Sequence, residues 1–197
     1  MVFYESLKES ISLKQRILDS DDLKVLSNMG DKIINSIING GKLLICGNGG
    51  SAADAQHLAA EFLIRLTSEV NRQGIPALSL AQDTSTLTAC LNDYGGDQLF
   101  KRVMSSLANE GDILLAISTS GNSDNIIEAL KAAREIGIKT IGFLGSDGGN
   151  SLKYCDIYFL VPSNKTARIQ EVHITAGHAV IEYVEGRLIE EGFLHLK

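Results

Sequence analysis

The sequence has few of the residues that mark several large classes of protein. Its 197 residues include no tryptophan, only two prolines and three cysteines, and 6% are aromatic. Without a proline-rich linker or another boundary signal, we predict one domain over residues 1–197. Cys46, Cys90 and Cys155 lie far apart, which fits neither a Cys-x-x-Cys motif nor a paired disulfide framework. We therefore expect a reducing, cytoplasmic location.

Long apolar runs and basic clusters are also lacking. The apolar runs are too short to cross a bilayer, and the first residues do not form a continuous apolar signal segment, so we expect no membrane partner. A net charge of −6 opposes binding to a phosphate backbone, so we expect no nucleic acid partner. An anionic small ligand would have to be attracted locally, for example by helix N termini.

The apolar residues that are present follow an alternating pattern. Three- and four-residue spacing predicts two opening helices, 3–18 and 21–38, with a cap at Ser20-Asp21-Asp22. Five predicted strands follow, at 42–46, 77–80, 113–117, 140–144 and 157–161. The predicted helices around them are 52–66, 84–91, 97–107, 125–136 and 166–191, with a short turn after Asn150. This alternation predicts an α/β domain with a parallel sheet covered on both faces, and the surplus helices indicate subunit packing.

A hydroxyl-rich loop follows the third predicted strand. It reads Ser118-Thr119-Ser120-Gly121-Asn122-Ser123 and leads into a predicted helix. Four hydroxyls and free backbone N–H groups at a helix start are typical of a phosphate site. The alternative is a turn that only caps the helix, for which the hydroxyl of Ser123 or the carboxylate of Asp124 would suffice. The number of hydroxyls favours phosphate binding.

A glycine loop follows the first predicted strand. Gly47-Asn48-Gly49-Gly50-Ser51-Ala52 formally fits the dinucleotide pattern G-x-G-x-x-G/A. That pattern expects an acidic residue about twenty positions on, and Asp83 comes too late. The loop also lacks the Gly-Lys-Ser/Thr ending of a nucleotide P-loop, so the sequence gives little support to dinucleotide, ATP or GTP chemistry.

Two predicted helices carry polar residues that suit a metal. His57 and Glu61 are four residues apart, on one helix face, although a surface His–Glu contact is the commoner meaning of that spacing. The last helix holds Gln170, His173 and His178 among apolar residues, where buried polar groups need partners. Spacing alone does not choose between the two histidines of that helix, and a core histidine is an equal alternative.

Several of these motifs occur in the order found in one family. Cys46-Gly47-Asn48-Gly49-Gly50-Ser51, His57-x-x-x-Glu61, the hydroxyl loop and Arg168-Ile169-Gln170-Glu171-x-His173-x-x-x-x-His178 together resemble the phosphoheptose isomerases of the sugar isomerase (SIS) superfamily. The resemblance covers nearly the whole chain. It implies a single three-layer SIS domain with a five-stranded parallel sheet in flavodoxin-like order, whose two N-terminal helices and long C-terminal helix pack in an oligomer.

The resemblance also implies a site. One zinc ion per subunit would be bound by His57, Glu61, Gln170 and His178, in a homotetramer with active sites at subunit contacts. A sugar phosphate would be bound by Asn48, Gly49, Gly50, Ser51, Glu61, Asn92, Asp93, Ser118, Thr119, Ser120, Ser123 and Gln170. One departure is Ala167, where some members carry an aspartate credited with assisting activity.

The implied reaction interconverts sedoheptulose 7-phosphate and D-glycero-D-manno-heptose 7-phosphate through an enediol, the first step of nucleotide-activated heptose biosynthesis. Such chemistry needs a base and an acid, for which Glu61 and His178 are the candidates. The main alternative is a non-catalytic SIS domain that binds a phosphosugar or engages a replication-initiation protein. A nicotinamide-dependent dehydrogenase is a weaker third interpretation, since it depends on the glycine loop alone.

Overall fold

The computed structural model describes residues 1–81 and 83–196. Two helices, α1 (Val2–Leu18) and α2 (Lys24–Ile38), precede the first strand. The strands are β1 (Leu43–Gly47), β2 (Ala77–Ser79), β3 (Ile113–Ser118), β4 (Lys139–Gly145) and β5 (Ile157–Val161). The remaining helices are α3 (Gly50–Leu63), α4 (Thr84–Asp93), α5 (Leu99–Leu107), α6 (Asp124–Ile136) and α7 (Thr166–Glu190), with short 3₁₀ helices at Gly96–Gln98 and Gly149–Tyr154. All five predicted strands are present.

The sheet is parallel throughout and has the order β2-β1-β3-β4-β5, which confirms the flavodoxin-like prediction. Its central strands are buried on both faces, so their sequences are continuously apolar rather than alternating. Along β1, Leu43 and Ile45 enter a core formed with α2, α3 and α7. Leu44 and Cys46 enter a second core formed with α5 and α6. The helices therefore cover both faces, which gives the predicted three layers.

Several element boundaries differ from the prediction. Helix α2 begins at Lys24 rather than at residue 21, because a turn stabilised by the Ser20 hydroxyl occupies the predicted cap. The predicted helix 97–107 is divided into a 3₁₀ turn and α5. Helix α3 ends at Leu63, three residues early, because residues 72–75 fold back onto its last turn, where Ile75 donates to the carbonyl of Phe62. Long-range contacts of this kind are not visible in local periodicity.

In the part of the chain that the structure describes, no helix combines the length and apolarity needed to cross a membrane.

Candidate functional site

The two candidate ligand loops meet at the carboxyl edge of the sheet. Strands β1 and β3 are neighbours, but β1 leads to α3 on one face and β3 leads to α6 on the other. This divergence opens a crevice of the kind that binds ligands in parallel sheets. The amides of Asn48 and Asn125 bridge it through two reciprocal hydrogen bonds of 2.8 and 2.9 Å. The glycine loop and the start of α6 are thereby held together.

The hydroxyl loop is folded around the N terminus of α6. The hydroxyl of Ser118, 4% exposed, accepts a hydrogen bond of 3.1 Å from the backbone N–H of Gly121. The hydroxyl of Ser120 accepts one of 3.1 Å from the N–H of Asn122. Ser123 is the N-cap residue, yet among the described residues its side chain accepts no capping hydrogen bond. The Ser123 hydroxyl is therefore available to a ligand, which favours phosphate binding over a simple cap.

A neighbouring segment supports this loop from behind. The side chain of Asn122 donates to the carbonyl of Ser120 at 3.0 Å and accepts from the N–H of Asn150 at 3.0 Å. Ser151 donates its backbone N–H to the carbonyl of Gly121 at 2.8 Å. The segment after β4 thus fixes the loop before any ligand binds, which lowers the entropic cost of binding.

The glycine loop brings one residue of α7 to the same crevice. Gly49 has a φ of 54°, and Gly50 begins α3. A Cβ atom on Gly50 would overlap the side-chain amide of Gln170. Gln170 therefore lies against the N terminus of α3, next to Ser51, which is 3% exposed. The close approach of Gln170 explains why residue 50 is a glycine, without any need for a dinucleotide.

Two histidines from helices distant in sequence meet near this edge. The Nε2 atoms of His57 on α3 and His178 on α7 are 2.9 Å apart, and the ring centroids are 5.1 Å apart. The carboxylate of Glu61 lies one turn along α3, with its Oε1 3.7 Å from Nε2 of His57. His57 is half-exposed and Glu61 is 19% exposed. A solute can reach the imidazole of His57.

This donor set could hold a metal ion. In a tetrahedral zinc site with bonds of roughly 2.0–2.1 Å, donor atoms lie about 3.3 Å from one another. The separations of 2.9 and 3.7 Å around Nε2 of His57 bracket that value. Within residues 1–81 and 83–196, no group of three or more His, Cys, Asp and Glu side chains is already arranged as a metal site. A full set therefore needs adjustment of Glu61 and a further donor such as the amide of Gln170.

Sequence reasoning missed Asp54. Its Oδ2 is buried and has no hydrogen-bond partner among the described residues. Burial raises the pKa of this carboxyl, and the nearby imidazoles of His57 and His178 act in the opposite direction. Asp54 is three residues before His57 and seven before Glu61, so the helical period places all three on one side of α3. That spacing was the available signal.

The other histidine of α7 has different surroundings. His173 is fully buried and packs against Phe143 of β4, with ring centroids 5.7 Å apart. Burial lowers the pKa of His173 to about 4, and the backbone of Leu144 opposes this effect only in part. His173 is thus the core histidine that the sequence left as an alternative, and His178 is the one near His57.

Two predicted site residues, and the position where the chain departs from the family pattern, lie apart from this cluster. Asn92 and Asp93 are exposed at the end of α4, where their side chains share a hydrogen bond of 2.7 Å. Asp93 lines a groove between α4 and α5 with Tyr94 and Arg102. Ala167 is exposed at the start of α7, beside the first turns of α1. The roles of Asn92 and Asp93 toward a substrate stay predictions.

Comparison with known proteins gives the family. Residues 5–145 match the model of the SIS domain. The phosphoheptose isomerase of a Roseiflexus species is 46% identical over 187 residues, which cover 95% of this chain and 93% of that protein. The phosphoheptose isomerase of Clostridium acetobutylicum is 47% identical over 186 residues, covering 94% of each chain.

Solved structures agree with these matches. A phosphoheptose isomerase structure from Neisseria gonorrhoeae is 41% identical with a TM-score of 0.86, covering 93% of this chain and 97% of that one. Another, from Francisella tularensis, is 34% identical with a TM-score of 0.88, covering 93% and 96%. The chain has the hydroxyl loop and the His57–His178 contact, and it matches its relatives over almost their whole length. It belongs to the phosphoheptose isomerase family of SIS-domain proteins.

Proposed function

We propose that this protein interconverts D-sedoheptulose 7-phosphate and D-glycero-D-manno-heptose 7-phosphate. The observation that carries the proposal is the 2.9 Å contact between His57 and His178, with Glu61 beside it. A domain that only binds a phosphosugar needs the hydroxyl loop, but it does not need two imidazoles and a carboxylate gathered from two helices. The arrangement therefore favours catalysis over an adaptor role.

The phosphate is held by the hydroxyl loop. Ser118, Thr119, Ser120 and Ser123 supply hydroxyls, and the first turn of α6 supplies N–H groups and the positive end of its dipole. The net charge of the chain repels an anion, so this local attraction must provide the binding energy. Asn48, Gly49, Gly50 and Ser51, on the other side of the crevice, would contact the sugar, together with Glu61, Gln170, Asn92 and Asp93.

The reaction moves one proton between C1 and C2. Glu61 removes the proton from the carbon next to the carbonyl, which leaves an enediol, and returns a proton to the other carbon. His178 moves the proton between the two oxygens, so the substrate as a whole gains and loses none. Glu61 and His178 both lie next to the imidazole of His57, so both can reach the same two carbons.

A zinc ion is part of the proposal. His57, Glu61, Gln170 and His178 would hold one ion per subunit. When bound, it would polarise the carbonyl and hydroxyl oxygens and so stabilise the charge that develops on them. A group bound to a metal is a weaker base, so Glu61 and His178 would each transfer protons only through an atom that the ion leaves free.

The assembly and the location are further parts of the proposal. We expect a homotetramer, as the resemblance implies, and the exposed apolar stripe of α1 that includes Phe3, Leu7 and Ile11 supports association between subunits. We expect the protein in the cytoplasm, where its three cysteines, which are buried free thiols in the structure, would stay reduced. The product would enter nucleotide-activated heptose biosynthesis, for which lipopolysaccharide is one destination.

The first experiment tests substrate and metal together. The purified protein is incubated with sedoheptulose 7-phosphate, after treatment with a chelator and with or without added zinc, and aldoheptose phosphate is measured. We expect turnover that is lost on chelation and restored by zinc. Absence of the aldoheptose in every sample would reject the isomerase and favour a binding domain, and turnover that survives complete chelation would reject the metal.

The second experiment tests Glu61. Glu61→Gln keeps the size of the side chain and removes the base, so we expect kcat to fall at least about 100-fold. Glu190→Gln on α7 is the control, since that carboxylate is largely exposed and its loss should leave kcat unchanged. Undiminished turnover of Glu61→Gln would remove Glu61 from catalysis.

A further inference from the structure

A buried ion pair lies at the far end of the helices that carry the proposed site. Arg72 is 4% exposed and Glu185 is 5% exposed, and Nε of Arg72 donates directly to the carboxylate of Glu185. Arg72 lies in the segment between α3 and β2, and Glu185 lies on α7. Two opposite charges taken this far from water need close mutual contact and further hydrogen bonds to be tolerated.

Arg72 directs two further hydrogen bonds to the last turn of α3 and one to its own segment. Its Nη2 donates to the carbonyl of Glu61 at 3.0 Å, and its Nη1 donates to the carbonyls of Phe62 and Gln73 at 3.0 Å each. The last carbonyls of a helix have no partner within the helix, and a cation at that end interacts favourably with the dipole. Arg72 therefore caps α3 and fixes the backbone of Glu61.

The pair closes a line of contacts along α3 and α7. Gln170 lies over Gly50 at the start of α3, His178 contacts His57, and a Cβ on Gly177 would come within 2.6 Å of Leu58. Glu185 is seven residues, or two turns, beyond His178 on the same helix. The two helices thus run side by side in the same direction. The Arg72–Glu185 pair ties them together, one turn beyond His57 on α3 and two turns beyond His178 on α7.

We propose that Arg72 and Glu185 are positioning residues that set the register of α3 against α7 and thereby hold Glu61 and His178 at a common distance from the reacting carbons. The inference rests on the function proposed above. The N–H donors of a guanidinium lie in one plane at fixed angles. Arg72 can therefore bond to Glu185 and to the carbonyls of α3 at the same time in only one relative position of the two helices. Sliding either helix by one turn would leave a buried charge without its partner, which strongly disfavours other registers.

The test uses two conservative changes in the full-length protein. Glu185→Gln keeps the shape and an acceptor oxygen but removes the charge, and Arg72→Lys keeps the charge but removes the fork. We expect kcat to fall about 10- to 100-fold in each, as for small misplacements of catalytic groups. KM for sedoheptulose 7-phosphate should stay within about twofold, because the hydroxyl loop that holds the phosphate is supported by the segment after β4 rather than by the pair. Zinc affinity, measured by competition with a chromophoric chelator, should weaken about tenfold or more.

Two controls separate positioning from general loss of stability. Met104→Ala removes a fully buried side chain from the core on the opposite face of the sheet, so it should lower the melting temperature without changing kcat or zinc affinity. Arg187→Lys changes an arginine of α7 that is 41% exposed and bonded to Glu191, and should leave all three quantities unchanged.

The outcomes are distinct. Wild-type kcat and zinc affinity in either folded variant of the pair would overturn the proposal, as would an equal loss of kcat in Met104→Ala at a matched melting temperature. If the wild type binds zinc but does not isomerise sedoheptulose 7-phosphate, the proposed substrate is wrong. The zinc affinities of the Arg72 and Glu185 variants would then still test the positioning role of the pair. If the wild type isomerises the sugar without zinc, the proposed metal is wrong. The kcat values of the variants would then test the positioning role of the pair.

Discussion

At the scale of single residues, burial decides what each imidazole of α7 can do. His173 and His178 are five residues apart on one helix, yet His173 is enclosed against Phe143 and His178 meets His57 at the crevice. A fully buried imidazole is held neutral because desolvation penalises the cation. His173 is therefore a packing residue, whereas His178 keeps access to a metal or a substrate.

The buried imidazole predicts a dependence of stability on pH. The pKa of His173 is lowered to about 4, from 6.5 when unfolded, so between these values the unfolded chain binds more protons than the folded one. Its contribution to stability is complete above about pH 6.5 and is lost as the pH falls toward 4, by roughly 3 kcal/mol in all. The free energy of unfolding, measured in urea from pH 7 to 4 without metal, should show this loss.

A variant isolates that contribution. His173→Leu keeps an apolar packing group against Phe143 and removes the titrating group, so its unfolding free energy should fall less with acid than that of the wild type. His195, exposed near the C terminus, provides the matched control, since His195→Leu should retain the wild-type pH dependence. Identical pH profiles for wild type and His173→Leu would contradict the assignment.

At the scale of elements, the contact between α3 and α7 builds the candidate site. The approach is close because Gly177 carries no side chain where Leu58 packs, and Leu58 is 1% exposed. The same small residue precedes His178, so the distance between the two helices and the position of that imidazole are coupled. Residues remote from the ligand can thereby influence the site through helix packing.

Glycine substitutions on α7 test this coupling. Gly177→Ala should force Leu58 aside, lower the free energy of unfolding by about 1–3 kcal/mol and reduce kcat about tenfold. Gly186→Ala is the control on the same helix: its Cβ meets nothing within 4 Å, so the change should stabilise the protein by up to about 1 kcal/mol. Thermal unfolding and steady-state kinetics measure both. Equal effects of the two substitutions would show that helix propensity, rather than close approach, matters at Gly177.

At the scale of the whole molecule, the exposed apolar stripe on α1 predicts association. Phe3, Leu7 and Ile11 are 83, 65 and 67% exposed, spaced by four residues and hence on one helix face. An apolar stripe of this kind is costly in water unless another surface covers it. The stripe predicts association, and the resemblance to the phosphoheptose isomerases implies four copies, so a chain of 21.2 kDa should sediment as a particle of about four times that mass.

Charges on the stripe should disrupt that association. The double change Leu7→Glu with Ile11→Glu places carboxylates in the contact, so we expect smaller species with intact secondary structure by circular dichroism. Lys139→Glu introduces the same group at an exposed position on β4 and should leave the mass unchanged. A monomeric wild type at micromolar concentration would reject the tetramer.

The sequence by itself determined the layered α/β architecture, because buried parallel strands and amphipathic helices leave patterns within a few neighbouring residues. It also marked the hydroxyl loop, where Ser118 to Ser123 are contiguous, and helical spacing placed His57 and Glu61 on one face of α3. Spacing left open which histidine of α7 meets His57, and only the tertiary structure showed that contact, where α3 ends, and that Arg72 pairs with Glu185. The His57–His178 and Arg72–Glu185 contacts join residues more than a hundred positions apart, and α3 ends where the segment 72–75 folds back onto it. Local periodicity does not encode which buried faces meet.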